Sequence, residues 1–380
     1  MSKLKRRANN EGTIRQRTDG RWEARVSLGI NPATGRMRMR SFYGHTREEA
    51  QVKLREAQNQ LANDEYVTPS GITFAQWLWK WHAMYVEGHL KPRTVQSYKV
   101  QIRANIIPAL GAAKLQKLRR EDMQRFVNDL SKTHAPSSVS LIMTVARSAL
   151  KQAVKGGLIH RNPADDLVLP AIHNEKKVTL TQPEVMRFFD ALPDSTNGRI
   201  LAFIALTGMR IGEASALHWG DVGDGSIRVE QSVAWLGDGA QVPVFNTPKS
   251  NAGIRTIPLN NAIRRVLEAQ RRAQLEERMR AGKAWNDYGL IFSTPLGLPL
   301  REYPVNRTMH AALEVAGISG EFTPHDLRHA WATAAMKKSK NNAKMVSTML
   351  GHSSVTMTLN RYTHPDMDEK QALMEDMFNG

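Results

Sequence analysis

The chain has 380 residues, 41% hydrophobic and 23% charged, which is ordinary for a soluble globular protein and too long for one small core. It contains no cysteine, so disulfides, thiolate chemistry and Cys-based zinc sites are excluded, and its longest apolar stretch, Ile200 to Met209, is about half of the ~20 residues a membrane-spanning helix needs. Lys and Arg number 53 against 36 Asp and Glu, and a formal net charge of +17 favours a polyanionic partner, most commonly nucleic acid.

The N-terminus, Met1 to Arg7, is basic, but no apolar signal segment follows it, so a soluble, cytoplasmic protein without a membrane partner is expected. Through Arg40 there are eleven Lys and Arg against three acids, Glu11, Asp19 and Glu23, a net +8 in a tenth of the chain. Trp22, Ala24, Val26 and Leu28 alternate with Arg21, Glu23, Arg25 and Ser27, and Met37 and Met39 alternate with Arg36, Arg38 and Arg40. Period two is the signature of strands. Asp19-Gly20 and the run Asn31 to Gly35 are the turns between them. Thr46, with Glu49 three residues on, opens a helix through a capping box. Three strands and a helix are therefore expected over residues 1–64, with arginines at period two on one sheet face. Arg15, Arg17, Arg21, Arg25, Arg36, Arg38 and Arg40 are the candidates for lying in a DNA major groove, and a solvated sheet face is the plainer alternative.

Residues 63–71 read as a linker. An all-helical stretch follows, giving a second domain over residues 71–170. Val95, Tyr98, Ile102 and Ile106 are spaced for one face of one helix, and Lys91, Arg93, Lys99 and Arg103 punctuate it at positions able to touch phosphates. A later helix starts after Ser137-Ser138, buries Val139, Ile142, Val145, Ala149 and Ala153, and stops at Gly156-Gly157. Trp77, Trp79 and Trp81 are read as packing residues rather than base-stacking platforms. Pro170 to Lys177 is a second linker. Thr181 and Glu184 then cap another helix, and residues 178–380 form a mainly helical domain with a small antiparallel strand pair near Ile227–Leu259. The fold class is α+β and multidomain.

Four segments of this last domain carry chemistry. In Leu206-Thr207-Gly208-Met209-Arg210-Ile211-Gly212-Glu213, Gly208 lets the backbone turn out of an apolar helix and Arg210 begins the next element. Arginine is planar, permanently charged and able to hold two phosphate oxygens, and Glu213 is placed to brace it. In Thr323-Pro324-His325-Asp326-Leu327-Arg328, a capped helix start puts His325 and Arg328 on one face, where the helix dipole already favours a phosphate. Gly351 ends a helix before His352, and Ser354 caps the next, whose far end carries Tyr362 ten residues after His352. Lys249, in Thr247 to Gly253 ahead of the strand Ile254 to Leu259, is read at the turn of a strand pair. Each segment alone has a bland reading as a surface ion pair, a capped helix, a packed tyrosine or a turn lysine.

In this order the four segments resemble the tyrosine recombinase (phage-integrase) family, and the resemblance spans the whole chain. The units ahead of them resemble the family's arm-binding domain and SAM-like core-binding domain, most like those of integrases of temperate phages and conjugative transposons. The resemblance implies a site-specific recombinase of a mobile element, working through a 3′-phosphotyrosyl intermediate and a Holliday junction. It assigns catalysis to Tyr362, Arg210, Lys249, His325, Arg328 and His352, with Glu213 in support. It implies a homotetramer on double-stranded DNA with core-type and arm-type sites in a bacterial host cell, and leaves room for an accessory bending or directionality factor.

The residues suit that chemistry. A phenol with a pKa near ~10 attacks poorly unless cations stabilise the phenolate, and charge on the pentavalent phosphorane calls for a guanidinium clamp. Lys249 is the expected general acid for the leaving 5′-oxygen. His352 is expected to hydrogen-bond a phosphate oxygen and His325 to accept the tyrosine proton, though the residues leave the division between the two histidines open. No metal or nucleotide cofactor is expected, since the phosphotyrosine conserves the bond energy. The tail Asp366 to Phe378 reads as a short amphipathic helix that docks on a neighbouring protomer or on its own domain. The rival readings are a type IB topoisomerase, which the extra basic N-terminal unit argues against, and a non-catalytic DNA-binding protein, which the complete residue set argues against.

Overall fold

The computed structural model describes residues 12–30, 35–62, 67, 69–172, 179–237, 242–247, 251–352 and 354–362. The chain divides into two compact units, Met1–His173 and Asn174–Gly380.

The first unit opens with β1 (Thr13–Gln16), β2 (Trp22–Ile30) and β3 (Met37–Gly44), an antiparallel sheet in the order β1-β2-β3. Gly20, at φ +82°, makes the first turn, and the Arg17 N–H closes it on the Arg21 carbonyl at 2.8 Å. The second turn, Asn31 to Thr34, lies outside the described residues. Helix α1 (Arg47–Ala62) covers one sheet face, burying Ala24 and Val26 against Ala50, Leu54 and Ala57. Thr46 Oγ1 accepts the Glu49 N–H at 3.2 Å, and the Glu49 carboxylate reaches back to the His45 N–H at 2.9 Å, one residue short of the expected box.

Strand register corrects the expected row of arginines. Arg15 stands opposite Glu23, and Glu23 opposite Tyr43, on the face turned away from α1. Arg40 instead stands opposite Val26, on the helix side, and Arg38 shares its strand face. The cause is Phe42. Pairing with Ala24 and packed under α1, it fixes the phase of β3, so Met37 and Met39 are 63% and 50% exposed.

Five helices follow: α2 (Phe74–Trp81), α3 (Pro92–Gln101), α4 (Ile107–Leu110), α5 (Arg120–Ser131) and α6 (Pro136–Lys155). Their core, from Phe74 and Trp77 to Met143 and Leu150, shares no residue with the core under the sheet. Val139, Ile142, Val145, Ala149 and Ala153 are all buried on α6, and the Trp77 indole donates to the Ala149 carbonyl at 2.9 Å. Trp81 is also buried, whereas Trp79 is 38% exposed and edge-on to His82, so only two of the three tryptophans are core. The helix expected through Ile106 is continuous from Pro92 to Leu110 and turns Val95, Tyr98, Ile102 and Ile106 to one core, with a π-turn, Ile102–Ile106, closed by the Ile107 N–H on the Ile102 carbonyl. Pro108 accounts for it, since a proline cannot donate to the preceding turn and its ring crowds the carbonyl four residues back. Lys91, Arg93 and Arg103 are exposed and Lys99 is half-buried.

The second unit begins with α7 (Gln182–Ala191), where the Glu184 carboxylate accepts the Thr181 N–H at 2.8 Å and its hydroxyl at 2.7 Å. Next come α8 (Thr196–Thr207), α9 (Ile211–Ala214), β4 (Ser226–Val229), β5 (Ser232–Leu236), β6 (Val242–Asn246) and β7 (Arg255–Pro258). Helices α10 (Asn261–Ala281), α11 (Glu302–Val315), α12 (Pro324–Lys338), α13 (Ala343–Leu350) and α14 (Val355–Tyr362) complete it. The apolar α8 is central, with α10, α11 and α12 packed around Ile200, Leu201, Phe203 and Ile204. The strands make two antiparallel pairs, β4 with β7 and β5 with β6. The strands on either side of Lys249 therefore do not pair with each other. Its segment links two strands that pair with different partners, and Lys249 itself lies outside the described residues. Among the described residues no helix is long and apolar enough to cross a membrane.

Candidate active site

Helix α8 ends at Gly208, whose φ of +66° turns the chain sharply while its N–H still bonds the Ile204 carbonyl at 2.8 Å. A Cβ here would lie 2.8 Å from the Trp331 ring, so both conformation and space demand glycine. The turn delivers Arg210 to the start of α9. There Glu213 binds it twice: Oε2 accepts the Arg210 backbone N–H at 3.0 Å and Oε1 accepts Arg210 Nη1 at 2.8 Å. The expected brace is present, and Arg210 keeps its side chain 42% exposed.

Sequence reasoning missed a third member. Arg255, at the start of β7, donates Nη2 to Glu213 Oε2 at 2.8 Å, Nε to the Met349 carbonyl at 2.7 Å and Nη1 to the Gly253 carbonyl at 3.3 Å. Its side chain is only 2% exposed. Burial pushes the Glu213 carboxyl up, but Arg255 first and Arg210 second outweigh it and hold it at about 2. One signal was available: Arg255 is in phase with the inward-facing Ile257 of the same strand, an unusual place for a charge.

Arg328 is the other buried guanidinium. The Asp326 carboxylate accepts the Thr323 N–H and hydroxyl, both at 2.8 Å, which fixes the first turn of α12. From one turn on, Arg328 donates Nη1 to the Gly208 carbonyl at 2.7 Å and Nη2 to the Leu350 carbonyl at 2.8 Å. It thereby ties the corner before Arg210 to the corner before His352. His325 lies on the same helix face, with the His329 ring edge-on at 4.4 Å between centroids.

Gly351, at φ +69°, ends α13, and a Cβ there would meet Arg255 Nη1 and the Ala252 carbonyl, each at 3.0 Å. His352 Nδ1 shares a hydrogen bond of 2.8 Å with the buried Thr358 hydroxyl. Ser354 Oγ accepts the Thr356 N–H at 3.2 Å, and α14 then runs to Tyr362, packing against α12 and α13. Four stretches far apart in sequence thus converge: 207–213, 253–255, 323–328 and 349–352. The structure describes the backbone position of Tyr362 at the last turn of α14.

The description "Phage integrase family" matches residues 178–369, half of the chain. The chain belongs to the phage integrase family. A second description, "Phage integrase, N-terminal SAM-like domain", matches residues 73–131, from α2 to the end of α5. An integrase of Streptomyces ambofaciens is 29% identical over 366 residues, covering 93% of this chain and 92% of its own. The ICEBs1 integrase of Bacillus subtilis is 27% identical, with 93% and 95% covered. Among solved structures, the Tn1549 transposon integrase in complex with a circular intermediate DNA has a TM-score of 0.66 at 20% identity, covering 80% of this chain and 99% of that one. A lambda integrase tetramer bound to a Holliday junction has a TM-score of 0.57 at 21% identity, covering 94% and 96%. At these identities the structures speak for the fold, and the α+β architecture expected for an integrase is the one observed. As a phage-integrase member the chain is a tyrosine recombinase, an enzyme that breaks and rejoins DNA strands at specific sites.

Proposed function

We propose that this recombinase cleaves DNA through Tyr362, with Arg210, Arg328, His325, His352 and Lys249 acting on the same phosphodiester. The observation that carries the reading is the double anchorage of Arg328 on the Gly208 and Leu350 carbonyls. It draws the segments of Arg210, His325 and His352 to one place, beside the helix that ends in Tyr362. As the phenol proton passes to a site histidine, His325 or His352, the phenol oxygen attacks phosphorus, the bond to the 5′-oxygen breaks and a 3′-phosphotyrosine is left. The 5′-oxygen takes a proton from Lys249 and departs as a hydroxyl. Charge rising on the non-bridging oxygens is met by guanidinium and imidazole groups fixed before the reaction begins. Because the phosphotyrosine keeps the bond energy, a 5′-hydroxyl from a second duplex reverses the step, and neither metal nor nucleotide enters.

Residues 178–380 are the catalytic part in this reading, residues 71–170 grip core-type DNA, and residues 1–64 grip arm-type DNA. Lys91, Arg93, Lys99 and Arg103 contact phosphates in the second part. In the first, Arg15, Arg17, Arg21 and Arg25 serve the sheet face away from α1. Two duplexes with two strands each require four nucleophiles, so the working species is a tetramer on a Holliday junction. The lambda integrase tetramer bound to such a junction, and the Tn1549 integrase on its circular intermediate DNA, support this. A role in moving a mobile element in a bacterial cell, helped by a directionality factor, follows from the same kinship.

The test is a nicked suicide duplex built from the ends of the element that encodes the chain. The wild-type protein is expected to give a covalent protein–DNA band, and Tyr362→Phe to lose it while shifting the duplex at unchanged affinity. A band that survives Tyr362→Phe would remove Tyr362 from the mechanism.

A further inference from the structure

The carboxylate beneath Arg210 is shared, and the sharing has an electrostatic consequence. Glu213 faces two guanidinium groups, Arg210 at 2.8 Å and Arg255 at 2.8 Å, so the cluster carries two positive charges and one negative. An Arg–Glu pair alone would be neutral. A guanidinium locked in a neutral pair has little field left for a phosphate, and it is held towards its partner rather than towards solvent. The buried Arg255 takes up the Glu213 charge from inside, and the partly exposed Arg210 retains the net +1.

Arg255 also reaches the other half of the site. Its Nε holds the Met349 carbonyl at 2.7 Å in the last turn of α13, and its Nη1 lies 3.0 Å from where a Cβ on Gly351 would be. The corner that presents His352 thus rests on the same guanidinium that balances Arg210. A third bond, to the Gly253 carbonyl at 3.3 Å, fixes the near end of the segment that carries Lys249. A lysine in this position has one compact ammonium and no planar fork, so its donors, all on a single nitrogen, do not match the separate positions that Nε, Nη1 and Nη2 of the guanidinium reach.

We infer that Arg255 is a positioning residue for strand cleavage: it offsets the charge of Glu213 so that Arg210 stays electropositive, and it seats the His352 corner on the same buried group. The inference rests on the proposal that Arg210 and His352 face the scissile phosphate. Charge bookkeeping separates it from a scaffolding role. Arg255→Met leaves Arg210 in a neutral pair, whereas Arg255→Met combined with Glu213→Gln restores a net +1 while removing a second buried partner.

Single-turnover strand scission of the suicide duplex by the full-length chain, with duplex affinity measured alongside, tests this. Arg255→Met is expected to cleave about 100-fold more slowly at unchanged affinity, the scale of losing one preorganised cationic or donor group. The double variant is expected to recover about tenfold of that loss. A scaffolding residue gives the reverse order, since each removed partner weakens the fold further. Scission by Arg255→Met at the wild-type rate, or a double variant no faster than the single one, overturns the inference. Should Arg255→Met fail to fold, Arg255→Gln with and without Glu213→Gln is compared in the same assay: a double variant about tenfold faster than the single one is expected, and a double variant no faster overturns the inference. Scission is read from the labelled strand, so the comparison holds whichever nucleophile acts. An error in the Tyr362 assignment shows separately, as a covalent band that persists in Tyr362→Phe.

Discussion

A methyl group at Gly208 would meet the Trp331 ring at 2.8 Å, at a residue whose φ of +66° already disfavours any side chain. Gly208→Ala is therefore expected to cost about 2–4 kcal/mol, from left-handed strain together with overpacking. Urea unfolding of the full chain checks this, and a midpoint unchanged from wild type would show that the corner relaxes freely. Glu213 makes a prediction in pH. Its carboxyl sits at about 2 in the folded protein against an ordinary value of 4.5. A depressed folded value means the stabilisation is complete above about pH 5 and fades as pH falls through 4.5 towards 2, on the order of 3 kcal/mol in all. Glu213→Gln should be less stable at neutral pH, because Arg255 loses its buried counter-ion, and should show a shallower loss on acidification. Parallel pH slopes for the two proteins would contradict the assignment. The Arg210–Glu213 brace was readable because three-residue spacing on a helix is a local rule. Arg255 was not, since it lies 42 residues from Glu213 and 94 from Met349, and only the folded chain sets those distances.

Strands were harder to read than helix ends, and the reason is visible in β3. The caps at Thr181 and Thr323 depend on residues three apart and were found where their spacing placed them. Which face of a strand is inward depends on a partner elsewhere, and the Met-Arg alternation in β3 pointed the wrong way until Phe42 fixed its phase. The two sheets of the second unit have the same origin, because β6 and β7 are neighbours in sequence yet pair with β5 and β4. The corrected face makes a prediction. Burial pushes the Glu23 carboxyl up, but Arg15, Ser41 and Arg25 outweigh it and hold it at about 2, leaving a carboxylate with two arginines on the face turned away from α1. Arg15→Gln and Arg25→Gln should each weaken arm-type DNA binding and reduce its salt dependence by about 0.9 in logarithmic slope per lost phosphate contact. Arg40→Gln, on the helix side, should leave that slope unchanged. Equal effects from all three would mean that charge acts without regard to face.

Two hydrophobic cores with no residue in common lie within the first unit, one under the three-stranded sheet and one among α2 to α6. Separate cores mean that removing the sheet takes no packing partner from Phe74, Trp77 or Met143. Residues 1–64 hold 14 Lys and Arg against 7 Asp and Glu, so deleting them lowers the formal net charge from +17 to +10. That remainder is still strongly basic, and every described residue of the site lies between Thr207 and Tyr362. The truncated protein is therefore expected to cleave a core-site suicide duplex at close to the full-length rate. Under the proposed arm-binding role of residues 1–64, integration needs arm and core sites held together, so the same truncation should abolish recombination between two attachment sites in a plasmid assay. The two readouts must part company for the modular reading to stand. Integration at full efficiency by residues 65–380 would mean that the sheet has no arm-binding task, and loss of core cleavage would mean that the two cores are not energetically independent.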